Sequence, residues 1–173
     1  MKQLLIKLLV RMLAPRRMQS LRALMRAAVI HNQRPVVCRP KAGKIAVLAP
    51  HMDDEVLGCG GTIARHVQAG AEVFVVFLTD GRHGSAAFVG LTEPERSRKQ
   101  RELVETRKQE ARCAGDVLGV KSITFLDAED GRLSIDSMLP LRLRAILEVE
   151  RPQLVYLPFF LENHTDHGAA SDV

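Results

Sequence analysis

Residues 45–81 read IAVLAPHMDDEVLGCGGTIARHVQAGAEVFVVFLTDG, and the two apolar runs in this stretch decide the fold. Ile45–Ala49 is a short apolar run after a basic linker and reads as a buried strand. Val73–Leu78 (VFVVFL) is β-branched and aromatic without polar alternation, the signature of a strand covered on both faces. Between them, Glu55–Gln68 reads as a helix ended by Ala69-Gly70. Strand, helix and strand at this spacing imply parallel strands joined by a right-handed crossover.

The rhythm continues outward. Glu93–Leu118 predicts a long charged helix capped by Gly119, and Ser122–Leu126 a third strand. Asp136–Glu150 predicts a third helix and Leu154–Leu157 a fourth strand. The class is therefore α/β, a Rossmann-like parallel sheet sandwiched by helices, with a predicted strand order of 3-2-1-4. In such sheets ligands bind past the carboxyl ends of the strands, here between the first and the fourth. The residues at those ends are Pro50-His51-Met52-Asp53-Asp54-Glu55 and Asn163-His164-Thr165-Asp166-His167. They are also the two densest clusters of histidine and carboxylate in the chain.

His51 and Asp54 are three apart, as are His164 and His167. On a helical first turn that spacing sends both side chains the same way. Two imidazoles and a carboxylate are a usual zinc set with a fourth position left to water, as in catalytic sites. Because Asp53 and Asp54 are adjacent, one can bind metal while its neighbour faces the water. An acidic first turn is also what a helix N-terminus favours on its own. That simpler reason explains the acids, but neither His51 nor the second histidine pair at the matching end of the sheet.

Composition narrows the function classes. The chain has 173 residues, enough for one domain plus an appendage, and 46% hydrophobic with 26% charged residues are ordinary globular values. With no Trp and one Tyr, aromatic cages and base-stacking surfaces lose their main ingredients. Cys38, Cys59 and Cys113 are odd in number and form no C-x-x-C pair, which fits a reducing, cytoplasmic compartment better than a disulfide framework. The net charge of +5 hides an asymmetry. Residues 1–44 hold eleven Lys or Arg and no acid, leaving 14 basic against 20 acidic residues in 45–173, a net of −6. The basic character belongs to the leader, so no nucleic-acid partner is expected for the body.

Residues 1–44 form a basic amphipathic leader and linker. Lys7 and Arg11 share a stripe bordered by Leu4, Leu5, Leu8 and Met12, and Pro15 breaks the pattern before a second amphipathic stretch. Such a segment suits peripheral contact with a membrane surface through residues 1–30, an organellar targeting sequence, or packing on its own domain or a partner. His31, His66 and His83 lie away from both clusters and read as surface or core histidines. Gly58, Gly60 and Gly61 read as permitting close approach of helix to sheet.

With these residues in view, the stretch Ala49–Thr62 resembles the signature of the PIG-L/LmbE-like N-acetylglucosaminyl deacetylases. Thr79-Asp80-Gly81, Arg107-Lys108-Gln109-Glu110, Asp130-Gly131 and His164-Thr165-Asp166-His167 follow in the family's order, so the resemblance covers 45–173. Met52 and Thr165 stand where the family usually has proline, and Glu162 where some members carry tyrosine. The resemblance implies a metal-dependent, usually zinc, de-N-acetylase acting on a small or lipid-linked amino sugar. It implies His51, Asp54 and His167 as Zn2+ ligands and Asp53 as general base. His164 would stabilise the oxyanion or assist the leaving amine, with Asp166 orienting it. Arg107 would contact a sugar hydroxyl opposite Asp130, with Glu110 as the orienter of Arg107. Two other readings stand beside this one: a non-catalytic scaffold or membrane-surface module, and a deacylase of another acylamide. With the family running on for further elements, 1–173 is expected to be an incomplete enzyme that self-associates through strand four.

Overall fold

The computed structural model describes Leu24 and residues 42–134, 138–159 and 164–172. Apart from Leu24 and residues 42–44, the basic leader lies outside those residues, and so does the membrane contact expected of it. No helix among the described residues is long and apolar enough to cross a membrane.

Four parallel strands form one sheet: β1 (Lys44–Ala49), β2 (Glu72–Thr79), β3 (Ser122–Ala128) and β4 (Leu154–Tyr156). Their order is β3-β2-β1-β4, as the pattern of runs predicts. Four helices accompany them: α1 (Asp54–Gln68), α2 (Glu95–Leu118), α3 (Leu139–Glu150) and α4 (Thr165–Asp172). The unbroken apolar runs of β1 and β2 follow from burial on both faces. Ile45, Val47, Val73, Val75 and Phe77 pack with Ile63 of α1 and Ala111 of α2. Ala46, Leu48, Phe74, Val76 and Leu78 face the other way, against Leu139 and Leu143 of α3 and Ala170 of α4. The result is a helix–sheet–helix sandwich with β1 and β2 at its centre.

Most boundaries differ from the expected ones by a residue or more, and two of the shifts have a clear physical reason. α2 starts at Glu95 rather than Glu93, with Pro94 as its N-cap, because the residue before a proline avoids helical geometry. β3 runs on to Ala128. Phe77 pairs with Phe125 and Thr79 with Ala128, so β3 carries one extra residue, a bulge. Asp127 takes φ 53° there, and its carboxylate meets Lys108 at 2.8 Å. α4 begins at Thr165 and buries Ala170 completely.

Candidate metal centre

The turn leaving β1 is fixed from β2. The Pro50 carbonyl accepts the Thr79 amide at 3.0 Å and the Thr79 hydroxyl at 2.8 Å. Asp53 follows at φ 155°, ψ −24°, a sterically costly conformation for a residue with a Cβ. Its amide donates to Glu55 Oε2 at 3.1 Å. Glu55 is buried, and burial raises its carboxyl pKa. Asp53 occupies the N-cap yet makes no side-chain cap bond, and it is exposed. Helix capping therefore does not account for the Asp53 carboxylate. The glycine-rich run beyond it is where α1 kinks, at Cys59. A Cβ at Gly58 or Gly61 would meet nothing within 4 Å, so the expected close approach to the sheet is absent there.

Asp54 is the centre of the cluster. Its Oδ2 lies 3.3 Å from His51 Nδ1 and 3.3 Å from His167 Nε2, and it also accepts the His51 amide at 2.9 Å. Donor atoms at the corners of a tetrahedron with zinc bonds of about 2.0–2.1 Å stand roughly 3.3 Å apart. These two spacings fit such an ion, and among the described residues His51 also shares donor atoms within 4.8 Å with His164 and His167 on one side and with Asp130 and Asp166 on the other. His164 stacks edge-on against His51 with ring centroids 4.7 Å apart, and its centroid is 5.2 Å from that of His167. The first turn of α4 thus brings His167 to Asp54 and His164 to the rim, where it is exposed.

The far side of the His51 ring is equally occupied. Nε2 lies 3.2 Å from Asp130 Oδ1 and 3.2 Å from Asp166 Oδ2. Burial alone would lower the His51 pKa, but hydrogen bonds with Asp130, Asp166 and Asp54 outweigh it and push it up to about 11. Asp130 shows the converse. Burial would raise it, yet its bonds with His51 and the His83 amide bring it down to about 2. Carboxylates behind a ligating imidazole fix its tautomer and ring orientation.

The expected outer residues fall differently from the sequence reading. The fully buried Asp166 carboxylate accepts from Gly131 N at 2.7 Å and Leu133 N at 3.1 Å besides meeting His51. The carboxylate points into the core, away from His164, and it is the Asp166 amide that meets His164, donating to its Nδ1 at 3.3 Å. Asp130 has both oxygens engaged inside the protein, one with His51 and one with the His83 amide. Arg107 is half-buried over the loop after β2, its guanidinium packed where a Cβ on Gly84 would stand. Glu110 is exposed and forms no ion pair with Arg107 among the described residues, since it lies on the outer flank of α2. His66 is a core histidine, bonded to the Tyr156 hydroxyl at 2.8 Å. His83, read as a surface or core histidine, is exposed, and its Nδ1 bonds to the Asp130 carbonyl. An open cavity of about 480 Å³ adjoins the cluster, lined in part by Asp54, Glu55, Cys59, Tyr156, Phe159 and His167.

Residues 46–173 match the PIG-L family, described as GlcNAc-PI de-N-acetylase. The chain belongs to this family. Among PIG-L relatives it is 33% identical over 130 residues to diacetylchitobiose deacetylase of Thermococcus kodakarensis, covering 73% of this chain and 46% of that one. The solved N,N'-diacetylchitobiose deacetylase of Pyrococcus horikoshii, in complex with an inhibitor, superposes with a TM-score of 0.69 at 31% identity. That match covers 83% of this chain and 52% of the other. A 4-oxalmesaconate hydratase of Pseudomonas putida is 29% identical over 109 residues, covering 63% of this chain and 41% of its own length. The chain thus spans about half the length of these relatives, and one of them is named for a hydration.

Proposed function

We propose that the chain carries a zinc-dependent de-N-acetylase site acting on an N-acetylglucosamine-type sugar, free or lipid-linked. The observation that supports it most is the Asp54 carboxylate oxygen, 3.3 Å from a nitrogen of each of two histidines, beside an aspartate that caps nothing. Its likeness to two diacetylchitobiose deacetylases supports the sugar class. His51, Asp54 and His167 would hold the ion. A bound zinc supplies Lewis acidity and a water that ionises near neutral pH. Asp53, exposed at the mouth of α1, takes the proton from the attacking water. His164, at the rim, donates to the developing oxyanion or to the leaving amine. Arg107 contacts sugar hydroxyls, while Asp130 and Asp166 act mainly by holding His51.

The test combines metal content with acetate release from N-acetylglucosaminides by the full chain. Asp53→Asn should keep zinc and lose about 10²–10⁴-fold in turnover, the usual contribution of a positioned base. His167→Ala should sharply weaken zinc binding, because two donors hold the ion poorly against water. Zinc loss in Asp53→Asn would exchange the roles of Asp53 and Asp54. Turnover equal with and without Asp53, or hydration of an unsaturated acid without acetate release, would overturn the proposal.

A further inference from the structure

Asp130 is held from three sides by the loop that leaves β2. Its amide faces Asp80 Oδ1 at 3.4 Å, and its carbonyl lies 2.9 Å from His83 Nδ1. Its Oδ2 accepts the His83 amide at 2.9 Å. The oxygen left over, Oδ1, is the one that meets His51 Nε2 at 3.2 Å. A carbonyl oxygen can only accept, so the Nδ1 of His83 carries a proton and donates it. Asp80 is itself braced by Arg82, whose Nε donates to its Oδ2 at 2.7 Å. His83 therefore grips both the main chain and the side chain of a carboxylate that orients His51, from an exposed position outside the donor set.

We propose that His83 is a positioning residue of the metal centre: through Asp130 it fixes the tilt and tautomer of His51, and so sets how tightly His51, Asp54 and His167 hold zinc. This rests on the ligand reading above. Groups behind a ligating histidine commonly change metal affinity 10–100-fold when removed. His83 stands one bond further out, so the effect belongs at the lower end. A loop staple with no link to the metal would lower the melting temperature of the metal-free protein and leave zinc affinity alone.

The experiment is a zinc titration of the full chain against a chromogenic chelator. His83→Ala should weaken zinc binding about tenfold. His83→Asn should restore most of it, because its amide can donate to the same carbonyl. His83→Gln, whose amide sits one bond too far out, should behave like Ala and serves if the Ala variant folds poorly. In an Asp130→Ala background the His83→Ala change should cost less than in the parent, since the carboxylate link to His51 is cut and only the Gly131 amide, on the peptide that His83 holds, still leads to His51 through Asp166. Wild-type affinity in both His83→Ala and His83→Gln would overturn the proposal, as would an undiminished loss in the Asp130→Ala background. Failure of the wild-type chain to bind zinc at all would instead bring down the ligand reading, and this proposal with it.

Discussion

His51 is where a proton and a bound metal would compete. Its pKa is raised from 6.5 to about 11 in the fold, so the metal-free native state holds this proton more tightly than the unfolded chain does. That contribution is complete below pH 6.5 and fades as pH climbs toward about 11. Asp130, lowered from 3.8 to about 2, contributes fully above pH 3.8 and fades as pH falls toward 2. Metal-free protein should therefore be most stable between these two limits. The urea midpoint of EDTA-treated protein is expected to drop from about pH 5 to about pH 9, and to drop less with zinc present, because the ion replaces the proton. Equal midpoints at both pH values without metal would contradict the His51 assignment. At this scale His51, Asp54, His164 and His167 were legible from their i, i+3 spacings. The Asp130–His51 bond was not, because it joins residues 79 apart across a bulge that no local pattern announces.

Elements were read well where hydrophobic period and terminator agreed. α2 ends at Gly119 in the left-handed conformation, φ 74°, as a helix-ending glycine implies. A Cβ there would stand 2.8 Å from Val67 Cγ1 of α1, so both conformation and contact require glycine. Gly119→Ala is expected to cost about 1–2 kcal/mol, the penalty for a side chain in that region. This should appear as a fall of roughly 2–8 °C in thermal midpoint, and an unchanged midpoint would show that α1 and α2 can part to admit the methyl. Where reading went astray, tertiary packing decided. Glu110 shares a helix with Arg107 but turns to solvent, and Lys108 finds its partner in Asp127 of β3 instead. Helical spacing gives the face of a residue, not which neighbour the sheet will bring to it.

Across the whole chain, charge divides at residue 44: eleven basic residues and no acid before it, a net of −6 after it. If the leader meets membranes, vesicles rich in anionic lipid should retain the full chain at low salt and release it at high salt. Replacing Lys7, Arg11 and Arg22 by Gln should weaken retention on the order of 100-fold, at about 1 kcal/mol for each cation near the surface. Retention that ignores both salt and these replacements would assign the leader to packing or targeting. The architecture was the most legible level of all. Two both-face-buried runs at the right separation imply parallel strands, and parallel strands place loops from β1 and β4 side by side.

That adjacency has a consequence for how the molecule comes into being. β1 and β4 are neighbours, yet Asp166 follows His51 by 115 residues. On the ribosome, β1, α1 and β2 emerge early and can pair with each other long before β4 exists. A nascent chain that has reached only α2 holds His51 and Asp54 without His167, which on the proposed ligand set leaves too few donors to keep zinc. If the proposed ligand set holds, metal capture would be deferred until the polypeptide has closed the loop from His51 to α4, and a bound ion would report that threading of the sheet had reached β4.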